Sequence, residues 1–158
     1  IVGTPASMRA VKSFLRMALL FEDSVRRITV VSESDDPISP DLRPALDASQ
    51  VEVECIGDLR EVLPELDVVY INSIALLEGS YELLDRRFVL RRDSPLKKGA
   101  AILHPLARRD ELAQDLDETE HNLYFAQAAG AVYLRQALLI SILDRVKALP
   151  TSVLYLTS

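Results

Sequence analysis

The densest chemistry in the chain lies in His104-Pro105-Leu106-Ala107-Arg108-Arg109-Asp110-Glu111-Leu112. An imidazole beside a proline-led turn can anchor backbone, and arginine offers the planar fork that carboxylates fit. Taken alone, these residues read as an ordinary strand-ending turn, with His104 hydrogen-bonded to backbone. Arg108, Arg109, Asp110 and Glu111 then read as a solvated face with weak ion pairs. Arg9 stands among Met8, Val11, Leu15, Ala18 and Leu19, and by itself would be a solvated cation on an amphipathic helix. Asp115, Asp117, Glu118 and Glu120 lack the alternating ligand positions of a calcium loop. Cys55, the one cysteine, can form neither an internal disulfide nor a structural zinc site, and on a strand it reads as a small buried hydrophobe. His121 lies in a polar stretch and reads as a surface residue. No metal and no cofactor is expected.

The elements that would position these residues alternate in type. Ile28–Val31 is short and β-branched, as a buried strand is. Val51–Cys55 alternates, as an edge strand does. Val68–Ile71 and Ala100–Leu103 are two more buried-strand candidates. Helices are expected over Met8–Leu19, Leu42–Ala48, Leu59–Leu66 (capped by Asp58), Glu82–Phe88 and Val132–Leu149. In the last, Leu138, Leu139, Ile142, Leu143 and Val146 form one apolar face, read as core or interdomain packing rather than a cofactor box. This β-α-β-α order implies an α/β fold: a doubly wound, Rossmann-like parallel sheet of about five strands, with helices on both faces. Such sheets bind ligands beyond the carboxyl ends of their strands. That directs attention to the segments opening at Thr4, Ser32, Asn72 and His104.

The 158 residues suit one domain with a sizeable core. A net charge of −6 with no basic run argues against a nucleic-acid partner. No apolar stretch is expected to reach transmembrane length, and no membrane partner is expected. A cytoplasmic setting fits best. The opening Ile1-Val2-Gly3 reads as the first strand of a domain entered within a longer protein.

The His104–Leu112 stretch is followed by Asp117, Tyr124-Phe125-Ala126-Gln127, Gly130 and Arg135-Gln136-Ala137-Leu138-Leu139. These residues and spacings resemble the signature of aspartate and ornithine carbamoyltransferases: His-Pro-Leu-Pro-Arg with an acidic pair, then Tyr-Phe-x-Gln, then Arg-x-Ala-Leu-Leu. Pro105, where the ornithine branch typically has cysteine, favours the aspartate branch. Val2-Gly3 with Arg9, Val11 and Ser13, Asp67–Tyr70, and Phe88-Val89-Leu90-Arg91 are similar to further family blocks. The likeness covers the family's second, amino-acid-binding domain over residues 1–149, leaving 150–158 as a tail. The first domain, with its Ser-Thr-Arg-Thr-Arg phosphate loop, is absent from this sequence.

The resemblance implies carbamoyl transfer from carbamoyl phosphate to the amine of aspartate, in a homo-oligomer, a trimer in the family. Holding the two reactants in line supplies much of such a rate, and fixed donors must meet the charge that develops on the carbonyl oxygen. It also implies roles. The backbone carbonyls of Pro105 and Leu106, in the turn opened by His104, would hold the carbamoyl amide, and Arg9 would bind a carboxylate of the acceptor. No residue is assigned a certain catalytic role. Four positions depart from the family pattern: Thr4 replaces an aspartate, Ser73 an arginine, Ala75 a glutamine and Ala107 the second proline of the turn. The family's bond before that proline is cis. With alanine there, cis costs about 2.5–4 kcal/mol. A working enzyme would keep it, but because Ser73 and Ala75 point to lost function the Leu106–Ala107 bond is expected to be trans. Three readings stay open: a working aspartate carbamoyltransferase domain, a non-catalytic paralogue with an assembly or regulatory role, or a carbamoyltransferase with a different acceptor.

Overall fold

The computed structural model describes residues 1–72 and 86–143. Ser73 and Ala75, and most of the expected helix Glu82–Phe88, lie outside the described residues. Residues 1–124 form one compact unit and residues from Phe125 onward a second.

In the first unit the elements run α1 (Arg9–Leu19), β1 (Arg27–Val31), α2 (Arg43–Ala48), β2 (Glu52–Ile56), β3 (Val68–Tyr70) and β4 (Ala101–Leu103). β1 pairs in parallel with β2, and β3 with β4. Val2 joins the two pairs through parallel bridges to Val31 and Ile71. Its N–H donates to the Tyr70 carbonyl at 2.8 Å, and the Gly3 N–H donates to the Val31 carbonyl at 2.9 Å. Across the sheet the order is therefore β2, β1, the Val2 segment, β3, β4. That is the doubly wound order in which the chain starts centrally and winds outward both ways.

Side chains alternate along these strands, and both faces are apolar. Val2, Val31, Val69, Ile71 and Ile102 pack in one core with Leu59, Leu63, Phe88, Leu112, Leu116 and Tyr124. Ile28, Val30 and Tyr70 face the other way, into a core with Val11, Leu15, Leu19 and Leu42. A strand buried on both faces has no polar side to alternate with, hence the continuous apolar runs in the sequence. α1 and α2 supply the second core. The first is closed by 3₁₀ turns rather than long helices. Residues 59–66 were expected to be one helix and instead form two such turns, Leu59–Glu61 and Leu63–Glu65. Pro64 lacks the N–H that would carry an α-helix through this point. Asp58 does cap the first turn, accepting from the Arg60 N–H at 3.0 Å.

Two further expectations change. Cys55 is exposed, because β2 has one neighbour strand and its outward positions meet solvent. The last helix, α3, spans Tyr124–Ile142, so it starts eight residues before the expected Val132. The added Ala-rich turn makes it long and apolar enough, by length and composition, to cross a membrane. That corrects the expectation that no stretch reaches this length. Taken by itself, its Leu134, Leu138, Leu139 and Ile142 are all exposed, as is Leu143 just past it.

Candidate functional site

Because the strands are parallel, the segments that follow them share one edge of the sheet. Thr4 follows the Val2 segment, Ser32 follows β1, Asn72 stands just past β3, and His104 follows β4. The Ile71 N–H donates to the Leu103 carbonyl at 3.0 Å, which sets β3 and β4 level at this edge.

Gly3 is what lets the chain turn into α1. Its φ is +130°, and a Cβ there would stand 2.9 Å from both Met8 Sδ and Val11 Cγ2. Beyond it, Thr4 Oγ1 and Ser32 Oγ share a hydrogen bond of 2.7 Å, and the Thr4 N–H donates to Met8 Sδ at 3.2 Å. Gly3, Thr4, Ser7, Met8, Ser32 and Phe88 line part of a cleft of about 540 Å³. Arg9 opens α1 as an exposed side chain and makes no ion pair with any described residue.

The His104 turn is built differently. The His104 ring is fully buried. Its Nδ1 accepts the Leu106 N–H at 2.8 Å, so Nε2 carries the ring proton and donates to Glu111 Oε1 at 2.9 Å. The same Glu111 oxygen accepts the Arg109 N–H at 2.9 Å. Burial by itself raises the Glu111 carboxyl, but the His104 and backbone hydrogen bonds outweigh it and hold Glu111 below the usual glutamate range. Glu111 is only 2% exposed, so the expectation of a solvated charged face at 108–111 fails there. The turn ends on a second anchor. Arg108 forms a two-pronged pair with Asp117 and lies over the Tyr124 ring at 5.8 Å. The Tyr124 hydroxyl also donates to Asp117. The hydrogen bond from Arg108 holds the Asp117 carboxyl low, with Tyr124 adding to it against burial. Burial, with the bond to Asp117, pushes the Tyr124 hydroxyl well up. His121 is half-buried, its Nδ1 2.7 Å from the Ala100 carbonyl.

Within the turn, Leu106 has φ +52°, and the Leu106–Ala107 bond is cis, which corrects the expectation of trans. That expectation rests on the cost of a cis bond before alanine together with the departures at Ser73 and Ala75. In the structure the Leu106 and Arg109 N–H groups flanking the bond are both tied down, to His104 and Glu111. Pro105 and Ala107 are exposed and Leu106 is half-buried. The carbonyls of Pro105 and Leu106 accept no hydrogen bond from the described residues. The structure thus brings Thr4, His104, Pro105, Leu106 and Ala107 to one edge, with His104 beneath the surface rather than on it. Sequence reasoning passed over Glu111, Asp117 and Tyr124 as anchors. Their signal was the spacing of the acidic residues and the tyrosine after His104. Among the described residues there is no cluster of His, Cys, Asp and Glu able to hold a metal ion.

Comparison with known proteins agrees with this geometry. No family model matches the chain. The aspartate carbamoyltransferase catalytic subunit of Aliivibrio salmonicida is 35% identical over 104 residues, covering 63% of this chain and 34% of that protein. Aspartate transcarbamoylase from Trypanosoma cruzi, in complex with aspartate and phosphate, superposes with a TM-score of 0.71 at 22% identity, covering 87% of this chain and 44% of that one. An anabolic ornithine carbamoyltransferase from Campylobacter jejuni superposes with a TM-score of 0.62 at 20% identity, over 91% of this chain and 50% of that one. The two structures share its fold. The chain is thus similar in sequence to aspartate carbamoyltransferase catalytic subunits and shares the fold of aspartate and ornithine carbamoyltransferases. It spans about a third of the length of the curated relatives it matches.

Proposed function

We propose that residues 1–149 are the amino-acid-binding domain of an aspartate carbamoyltransferase-like protein, a protein that moves the carbamoyl group of carbamoyl phosphate to an acceptor amine. The observation that carries this reading is the His104 turn, anchored at both ends and offering at the carboxyl edge of the sheet two carbonyls, Pro105 and Leu106, that have no hydrogen-bond partner among the described residues. Those carbonyls would accept from the carbamoyl amide, and Arg9 would meet a carboxylate of the acceptor. Carbamoyl phosphate needs its own holder. The chain contains no Ser-Thr-x-Thr-Arg sequence for it, so the 158 residues alone are expected to form no carbamoyl aspartate.

The acceptor grip is reduced. Ser73 and Ala75 cannot replace a guanidinium and an amide, and losing a two-bond fork to a charge costs about 3 kcal/mol or more, roughly a hundredfold in affinity. This favours, as second readings, a different acceptor or a paralogue that keeps the fold without the activity. A nuclear magnetic resonance titration with carbamoyl aspartate tests the main reading, in the native chain and in the double variant Ser73→Arg, Ala75→Gln. Shifts at Leu106, Ala107 and Arg9, larger in the double variant, are expected. No response at these residues in either protein overturns the reading, and turnover by the native chain alone overturns the requirement for a second holder.

A further inference from the structure

We propose that Glu111 is a positioning residue for the turn: acting through His104, it sets the direction in which the Pro105 carbonyl points. The inference rests on the function proposed above and adds a residue that touches no substrate. A trans peptide is planar, with its N–H and C=O pointing in opposite directions. The Leu106 N–H belongs to the same plane as the Pro105 carbonyl, and it is tied to Nδ1 of a fully buried ring. The N–H therefore points inward and the Pro105 carbonyl outward, toward the exposed edge. This holds only while Nδ1 carries no proton. Glu111 enforces that condition, because its carboxylate accepts from Nε2 and so keeps the ring proton on the far nitrogen. The same oxygen holds the Arg109 N–H, so one side chain closes the turn from both ends. Core packing alone gives no reason to keep this arrangement, since replacing both partners of a buried hydrogen bond by apolar groups of the same shape is often neutral or stabilising.

The test compares Glu111→Leu, Glu111→Asp and Glu111→Gln with the native chain. Three quantities are read: hydrogen exchange at the Leu106 and Arg109 amides, the His104 tautomer from ring ¹⁵N shifts, and binding of carbamoyl aspartate. In Glu111→Leu the Leu106 amide should exchange at least about tenfold faster and the tautomer should become mixed, while amides of β1 and β3 stay protected. Glu111→Asp keeps the charge but shortens the reach, and should behave like Glu111→Leu; it decides the matter if Glu111→Leu does not fold. Glu111→Gln, which can still accept from Nε2, should restore protection and tautomer. Where the native chain binds carbamoyl aspartate, Glu111→Leu should weaken it by about tenfold or more and Glu111→Gln should rescue it. Unchanged exchange at Leu106 and an unchanged tautomer in Glu111→Leu and Glu111→Asp overturn the proposal. Failure of every protein to bind carbamoyl aspartate, with the exchange and tautomer changes as expected, instead overturns the functional reading and leaves Glu111 as the residue that orients the turn.

Discussion

Two turns meet at the same edge of the sheet and are held in opposite ways. The turn after β4 is fastened from below, by a buried imidazole, a buried carboxylate and an arginine–aspartate–tyrosine cluster. What it shows to the outside is backbone. The turn before α1 is held by the Thr4–Ser32 hydroxyl bond, a contact to Met8 Sδ, the shape of Gly3 and backbone bonds, among them Ala6 N–H to the Pro37 carbonyl and Met8 N–H to the Thr4 carbonyl, both 2.8 Å. What it shows is the side chain of Arg9, on a flexible stem. The contrast bears on the positions where this chain departs from the pattern it resembles. A backbone acceptor survives a change of side chain, as Pro to Ala at 107, if its anchors remain. A clamp made of side chains, by contrast, depends on which side chains are present.

The sharpest way to break the comparison is His104→Ala. It leaves the Glu111 carboxylate buried without its ring partner, and unfolding in urea should show a loss of about 3–5 kcal/mol. A loss under about 1 kcal/mol would mean the β4 turn is not fastened as described. Gly3→Ala probes the other turn. The left-handed φ and the 2.9 Å approach to Met8 and Val11 should together cost about 1–3 kcal/mol, read from the same urea curves. If the cost is negligible, the α1 turn is looser still than the contrast requires.

Acidification gives a smaller effect that belongs to the β4 turn alone. The Glu111 carboxyl lies below its ordinary range in the folded protein. Its contribution is therefore fully present above the unfolded glutamate value of about 4.3 and is lost as pH falls through the lower folded value. Native protein should lose stability over that window relative to Glu111→Gln, which does not titrate. Parallel curves of urea midpoint against pH for the two proteins would contradict this. The smallest effect is expected for Arg9→Ala. Exposed and without an ion pair among the described residues, it should change the melting temperature by no more than the equivalent of about 0.5 kcal/mol. A larger loss would show that Arg9 is built into the fold.

Much of this was legible from local pattern. Ile28–Val31 and Val68–Ile71 are apolar at consecutive positions because both faces of a parallel sheet are covered, and that signal needs no partner to be read. Parallel order then puts Thr4, Asn72 and His104 on one edge. The 3₁₀ turns at 59–65 were less legible, since a short apolar repeat reads as helix until the missing N–H of Pro64 is counted. The early start of α3 at Tyr124 was missed because Ala126, Ala128 and Gly130 give no periodic apolar signal.

The residue types alone determine an alternating α/β chain with a turn rich in polar groups after β4, because hydrophobic period and turn residues act over a few positions. The burial of Glu111, the tautomer of His104, the cis bond at Leu106–Ala107 and the exposure of Cys55 belong to the folded molecule. Each depends on which groups from distant positions arrive within hydrogen-bonding distance, or on whether a neighbouring strand arrives at all, and no local pattern encodes that.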